Sequence, residues 1–320
     1  MPTRRRSTPR TPTLVIGESL VDVVVAPDGS RTEHVGGSPL NVAVGLARLD
    51  HPVSLATHIG RDERGATIGE HLADSGVLLT SGSDTAEDTP TATATLDATG
   101  AADYTFEITW RMPQLPTFLG HVHTGSIGAL LRPGGVDVLA AMKGAARQST
   151  VSYDPNVRPA LIGDRRSALE EIERRVAVSD VVKASDEDLQ WLAGDALDPD
   201  AIADRLRAWC SLGPALAVAT LGAKGAMVIL PSGRRVDVPG REVEVSDTVG
   251  AGDSFMSGLL SGLLDASLLG GVQARKRLRR AHGRDLIPAV RRGIDASAST
   301  VSRAGAQPPS RADLGIGAAR

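Results

Sequence analysis

Residues 14–25 are dense in β-branched side chains and predict a first strand. Behind Gly36-Gly37-Ser38, residues 38–49 carry apolar positions at helical spacing. A strand follows at 53–59, then a helix at 64–75 that Gly76 ends. The rhythm changes between 77 and 110, where short alternating stretches replace helices. Thr91 to Leu96, a turn at Ala98-Thr99-Gly100 and Tyr104-Thr105-Phe106 predict a hairpin, and with it a small antiparallel sheet set between core elements. Strands resume at 121–124, 150–154, 181–183, 215–220 and 225–230. Helices intervene at about 134–147, 165–178, 186–193 and 199–212. The last third predicts helices at 251–264 and about 284–302, with a Gly-rich, Arg/Lys-rich connection. Strands alternating with helices imply an α/β fold whose parallel sheet is covered on both faces. In such sheets ligands bind beyond the carboxyl ends of the strands.

Composition narrows the picture. The 320 residues suit one α/β core with an appendage. Apolar residues make up 41 % but aromatics only 2 %, so Ala, Val, Leu and Ile must build the core. A net charge of −3 gives no reason to expect nucleic acid or an anionic membrane as partner. The single cysteine, Cys210, excludes an internal disulfide and a Cys-based zinc site, and its neighbours Leu206 and Trp209 mark a buried helical face. Residues 1–13, rich in Arg, Pro and Thr, read as a disordered basic tail. Glu18 and Asp22 interrupt the first apolar run, which argues against a secretory signal. No run reaches the roughly 18 apolar residues of a membrane span, and cytoplasmic is the default.

Several features invite bland readings. His121 and His123 alternate on one strand without a third ligand nearby and read as structural. The basic run Arg275-Lys276-Arg277-Leu278-Arg279-Arg280 has no interleaved aromatics and reads as a solvated helix connection rather than a phosphate track. Tyr104, Phe106 and Trp110 can either pack under the small sheet or stack on a sugar or base.

Two nucleotide motifs nearly occur and fail. Gly60 to Gly65 resembles a P-loop, but Ala66 stands where its lysine belongs; Gly250-Ala251-Gly252 resembles a dinucleotide turn, but Phe255 replaces the third glycine. The segment Asp247-Thr248-Val249-Gly250-Ala251-Gly252-Asp253 is more informative. It follows a strand-like stretch at 242–245 and precedes an apolar run, which puts two glycines and a carboxylate on the first turn of a helix. Unpaired N–H groups and the helix dipole make an anion hole there, suited to a transferring phosphoryl group. Local physics leaves two roles for Asp253, helix cap or catalytic base.

DTVGAGDSFMSGLL at 247–260 looks like the C-terminal signature of the PfkB, or ribokinase-like, sugar kinases, and GGSPLNVAVGLARL at 36–49 resembles their N-terminal signature. IGRDERG (59–65), VSYDPNVRPAL (151–161), KASDEDLQWLAG (183–194), TLGAKGA (220–226) and VSRAGAQPP (301–309) extend the likeness over 14–310, with a fructokinase-like character at 17–22 and 154–161. The resemblance implies a Rossmann-like core with a β lid formed by about 26–36 and 77–110, and a tail at 311–320. It implies Asp253 as base and Gly250, Ala251 and Gly252 as anion hole. Asp22, Gly36, Gly37, Asn41, Asn156 and Arg158 match sugar-side positions. Lys183, Ser185, Thr220, Gly222 and Gly225, with Gly252, match the ATP side. A homodimer through the lid is also implied.

Three departures stand out. The family's Asn-x-x-Glu, tied to Mg²⁺ and phosphate, is Ser185-x-x-Asp188, so Asp188 is expected to hold a metal-bound water. Ile294 falls near a position often polar beside the adenine. Pro309 replaces a serine that in some members binds a monovalent cation, leaving Asp247 and backbone carbonyls for any K⁺. The expected activity is transfer of the ATP γ-phosphate to a primary hydroxyl of a neutral sugar, D-fructose first, with ribose or a nucleoside as alternative acceptors and a catalytically silent binding regulator as the alternative class. Neutrality is expected because no Lys or Arg lies between Arg64 and Arg111, a span holding Asp97, Asp103 and Glu107, although Arg31 and Arg158 could supply a charge.

Overall fold

The computed structural model describes residues 10–97, 102–115 and 117–317. The turn expected at Ala98-Thr99-Gly100, residues 1–9 of the expected basic tail and the end of the expected C-terminal tail lie outside them. The strands are β1 (Thr13–Ile16), β2 (Leu20–Val25), β3 (Arg31–Gly36), β4 (Val53–Ala56), β5 (Leu78–Leu79), β6 (Thr91–Leu96), β7 (Ala102–Glu107), β8 (His121–Gly125), β9 (Thr150–Asp154), β10 (Val181–Ser185), β11 (Leu216–Thr220), β12 (Ala226–Ile229) and β13 (Arg235–Val238).

Nine of them form one sheet in the order β13-β12-β11-β10-β9-β8-β1-β4-β5, parallel from β11 to β5. Period-two alternation places β1 side chains on both faces. Val15 packs with the helices Ser38–Arg48, Glu63–Asp74, Ala251–Asp265 and Gly283–Val301. Leu14 and Ile16 pack with Gly134–Ala145, Arg165–Val176, Asp186–Ala193 and Pro199–Leu212. Each buried Val, Leu or Ile contributes about 1.5–3 kcal/mol, and small residues let the helices come close. At Gly258 a Cβ would lie 2.7 Å from the Arg292 carbonyl oxygen, so Ala251–Asp265 and Gly283–Val301 meet almost backbone to backbone.

The structure revises several expectations. The run 14–25 is two strands: β1 belongs to the core, whereas β2 leaves it at Gly17-Glu18-Ser19 and enters a four-stranded lid, β3-β2-β6-β7. The period alone could not reveal that break, because both halves are equally apolar. Leu78–Leu79 pairs with β4 in the large sheet, so the lid excludes the start of 77–110. The strand at 225–230 runs antiparallel and hairpins into β13, which the pattern reading missed. No strand forms at 242–245. Within the lid, β6 and β7 pair antiparallel as expected of a hairpin.

The fold continues beyond 310. Arg311 is buried and donates to the Leu49 carbonyl (3.0 Å), the Gly317 carbonyl (2.6 Å) and Asp265 Oδ2 (2.7 Å), which Arg292 also reaches at 2.7 Å. Removing one partner of such a buried pair typically costs about 3–5 kcal/mol. Because Arg292 remains on Asp265, Arg311→Ala is expected to lose somewhat less, about 2–3 kcal/mol, in denaturant unfolding. A loss below about 0.5 kcal/mol would place residues 311–317 outside the cooperative unit.

Candidate active site

The lid hangs from the carboxyl end of β1, above the edge where β8, β9, β10 and β11 also end. The helix Ala251–Asp265 starts at this edge. Its N-cap, Gly250, has φ 74°, and a Cβ there would lie 2.7 Å from the Ala306 side chain, so glycine is required on two counts. Asp247 clamps the preceding loop, accepting from Val249 N and Gly305 N at 2.9 Å each. Of the expected anion-hole donors, Ala251 N–H is turned to the Thr248 carbonyl at 3.3 Å. The Gly252 and Asp253 N–H groups follow at helix positions that have no carbonyl one turn earlier.

Asp253 does not cap this helix, as no side-chain capping bond is made. Its Oδ1 accepts from Ser38 Oγ at 2.7 Å and its Oδ2 from Asn41 Nδ2 at 2.8 Å. Both donors sit on the first turn of Ser38–Arg48, a helix pressed so close that a Cβ on Gly45 would strike Ser257 Oγ at 2.4 Å. The two signature segments therefore meet at one carboxylate, fixed in orientation and with lone pairs left for a substrate hydroxyl. Ser38 was missed as a site residue although it lies inside the quoted glycine motif.

On the lid side, Asp22 projects from β2 opposite His34 and diagonal to Gly36, where a Cβ would run into its Oδ2. Burial raises its pKa, and the charges of His34 and Arg158 oppose the rise. Gly37, at φ 111°, leaves room for the Glu18 carbonyl, which a Cβ would approach to 2.7 Å. Asn156, at φ 39°, accepts from Arg158 Nη1 at 2.7 Å.

Glu18, another residue that sequence reasoning passed over, is buried in the hinge between β1 and the lid. Its Oε2 accepts from Gly128 N at 2.8 Å. Burial pushes its pKa up to about 7, against hydrogen bonds from backbone and Ser126 and the charge of Arg158. A carboxyl with a folded pKa above its ordinary value supports the fold most below the ordinary value, and that support is lost as pH rises toward 7. Glu18→Gln, which keeps an acceptor, is expected to flatten this loss by about 2–3 kcal/mol between pH 5 and 8. Urea unfolding at both pH values checks it, and identical pH slopes in variant and wild type would refute it.

On the opposite side of the cleft, Lys183 lies mid-way along β10 with its Nζ 2.8 Å from Asp154 Oδ2, both side chains buried. A Cβ on Gly252 would stand 3.2 Å from that Nζ, so the ammonium borders the anion hole. Ser185 caps Asp186–Ala193 in a reciprocal box: its Oγ accepts from Asp188 N (3.0 Å), and Asp188 Oδ2 accepts from Ser185 N (2.8 Å). Asp188 Oδ1 accepts from Val157 N at 2.7 Å. Asp188 thus ties the Asn156–Arg158 loop to the helix start. Thr220 pairs in register with Ser185, and the loop after it turns through Gly222 (φ 55°) and Gly225 (φ 99°). That loop shares the sheet edge with Asp253 but makes no contact with it among the described hydrogen bonds.

Other candidates separate cleanly. His121 and His123 are buried and bonded within the sheet, His121 to Thr150 and Ser152 and His123 to Ser152, and burial pushes both pKa values down to about 3. Trp110 packs in the core, whereas Tyr104 and Phe106 stack on each other at 6.1 Å on the lid. Phe106 faces Ala92 and Ala92 faces Asp22, so the pair shares the lid face of Asp22. Ile294 is buried in the core and offers no surface to a base. Burial pushes the half-buried Cys210 thiol up to about 11, away from nucleophilic use. The basic run is a helix, Val272–Arg280, in which Arg275 is partly buried and donates to Asp180 at 2.6 Å. Among the described residues no helix is long and apolar enough to cross a membrane.

Comparison with known proteins agrees with this geometry. The pfkB family carbohydrate kinase domain matches residues 11–313. A fructokinase of Rhizobium leguminosarum bv. trifolii is 35 % identical over 269 residues, which is 80 % of this chain and 81 % of that protein. A double-mutant fructokinase from Vibrio cholerae O395, solved with fructose, ADP and potassium ion, superposes with a TM-score of 0.77 at 27 % identity, covering 97 % of this chain and 99 % of that one. An aminoimidazole riboside kinase from Salmonella enterica, solved with aminoimidazole riboside and an ATP analog, superposes with a TM-score of 0.73 at 26 % identity, covering 92 % and 95 %. With its family domain spanning nearly the whole chain and both signature segments converging on Asp253, this protein belongs to the pfkB family of carbohydrate kinases.

Proposed function

We propose that the protein transfers the γ-phosphate of ATP to a primary hydroxyl of a neutral sugar, D-fructose first among them. The observation that carries this reading is the Asp253 carboxylate, held by Ser38 and Asn41 at a glycine-built helix start with the Lys183 ammonium beside it. Asp253 orients the acceptor hydroxyl and takes its proton late, as a loose phosphoryl transfer allows. Gly252 and its neighbours, with Lys183, stabilise the charge on the transferring group. Asp22, Asn156 and Arg158 take the sugar hydroxyls, with Gly36 and Gly37 making room. Ser185, Thr220, Gly222 and Gly225 take the nucleotide. The likeness to fructokinases supports fructose over ribose or a nucleoside, the acceptor class represented by the riboside kinase.

Among the described residues no group of three or more His, Cys, Asp or Glu side chains is placed to hold a metal ion. Mg²⁺ accompanying ATP would ride on the phosphates, which suits an ion that keeps much of its water. Asp188 already uses both oxygens on backbone N–H groups, so we assign it to holding the Asn156–Arg158 loop. A K⁺ ion near Asp247 would likewise rely on backbone carbonyls, because that carboxylate is engaged at both oxygens and Pro309 offers no ligand. The cytoplasm, where ATP is plentiful, is the proposed compartment. The open lid face bearing Tyr104, 60 % exposed, is the proposed homodimer surface.

ADP release measured over fructose, ribose and adenosine tests the assignment. Fructose is expected to give the highest kcat/KM. Adenosine or ribose leading would move the protein to the alternative acceptor class, and no turnover with any acceptor would favour a silent regulator.

A further inference from the structure

The pair Asp154–Lys183 is the most deeply buried ionic contact at the sheet edge. The side chains are 1 % and 4 % exposed, and the nitrogen–oxygen distance is 2.8 Å. Lys183 is the only ion-pair partner of Asp154 among the described residues, and neither Asp154 oxygen accepts a directed hydrogen bond, so the contact is one of charge. As a contribution to stability this is poor, because removing two charges from water costs more than one contact usually returns. The arrangement has a different use. An ammonium carries three N–H donors, and here its charge lies against Asp154 without a directed hydrogen bond. The Nζ also lies 3.2 Å from where a Cβ of Gly252 would be, so its donors are within reach of an anion lodged at that helix start.

An ammonium at such a depth helps a phosphoryl group only while it stays charged, and burial without a partner drives a lysine neutral. The titratable groups facing Lys183 are Asp154 from β9, Asp188 from Asp186–Ala193, Asp253 from Ala251–Asp265, and His123 from β8. His123 is neutral, so three carboxylates surround the ammonium. Burial lowers the Lys183 pKa, but these carboxylates, Asp154 foremost, outweigh it and hold the group above the ordinary lysine range. Asp253 must serve the sugar hydroxyl and Asp188 serves the backbone, which leaves Asp154 as the one carboxylate devoted to the lysine.

We infer that Asp154 is a positioning residue of the phosphoryl-transfer step: it keeps Lys183 charged and held beside the anion hole. The inference rests on the kinase reading but concerns the phosphate end, so it can be read on whichever acceptor the wild type uses. Wild-type turnover of fructose tests the function itself, and the difference between variant and wild type tests the pair.

The experiment is a kcat profile from pH 7 to 9 for wild type, Asp154→Asn, Lys183→Met and the double variant Asp154→Asn/Lys183→Arg, with thermal melts alongside. Wild type is expected to stay flat over this range. Asp154→Asn should lose about 10–100-fold in kcat with sugar KM within about twofold, and fall at least about fivefold further by pH 9, approaching Lys183→Met. The double variant, whose guanidinium cannot lose its proton, should lose the alkaline fall. If Asp154→Asn does not fold, Asp154→Glu serves instead, with a lowered kcat and a flat profile expected. An Asp154→Asn profile parallel to wild type would overturn the proposal. So would a rise in sugar KM at unchanged kcat, an alkaline fall that survives in the double variant, wild-type kcat in Lys183→Met, or an alkaline fall in Asp154→Glu.

Discussion

Replacing Asp253 with Asn is expected to lower kcat by about 10²–10⁴, the usual size of a lost general base, while ATP binding changes little. The amide preserves shape, and it can still meet the Ser38 hydroxyl, but it takes up no proton from the acceptor. Ser38→Ala and Asn41→Ala remove one donor each from the carboxylate and should cost less, about tenfold, because the second donor still orients it. The ordering distinguishes a base from a structural anchor. If Asp253→Asn retained more than half of wild-type turnover at saturating sugar, the carboxylate would be a packing element between two helices and not the centre of the reaction.

The second large effect concerns the charge of the acceptor. The lid face that looks into the cleft carries Asp22, Ala92 and Phe106 in one row, with His34 paired to Asp22. Arg31 pairs with Val25 and so stands on the opposite face of β3, which removes it as a partner for a substrate anion. Arg158 remains near, but its guanidinium is already on Asn156, and its charge acts on both Glu18 and Asp22. Two carboxyl groups against one guanidinium leave no surplus positive charge for a second phosphate or a carboxylate, and an unpaired anion in a closing cleft is costly. Fructose is therefore expected to exceed fructose 6-phosphate and 2-keto-3-deoxygluconate in kcat/KM by about 10²-fold. A tenfold preference for either anion would show that Arg158 turns inward when substrate binds.

Much of this site was legible because glycines and polar residues cluster where strands end. The helices Ser38–Arg48 and Ala251–Asp265 and the strand Thr150–Asp154 lie close to where the apolar period puts them, since each buries one regular face or both. What escaped were features set by contacts between distant segments. The break at Gly17-Glu18-Ser19 is invisible in a continuous apolar run, yet it separates core from lid. The stretch 242–245 has the composition of a strand but gains no neighbour to pair with. Asp154 lies in the segment 151–161 with no local signal to mark it, because only the fold brings Lys183 to within 2.8 Å of it. The family resemblance assigns Asp188 to the metal side, and what that resemblance does not reveal is that its two oxygens close a capping box and hold Val157. Residue type leaves open whether Tyr104, Phe106 and Trp110 pack or face a ligand, and burial divides them: Trp110 lies in the core, whereas Tyr104 and Phe106 stack on the lid.

The most direct test of the central claim is product analysis: incubation with ATP, Mg²⁺ and D-fructose, followed by ³¹P NMR of the mixture. A sugar phosphomonoester is expected to appear in equal amount to ADP, and with Asp253→Asn in place of wild type it should be absent on the same timescale. ATP consumed to ADP and inorganic phosphate, or a sugar phosphate that forms as fast with the variant, would contradict the assignment of phosphoryl transfer to Asp253.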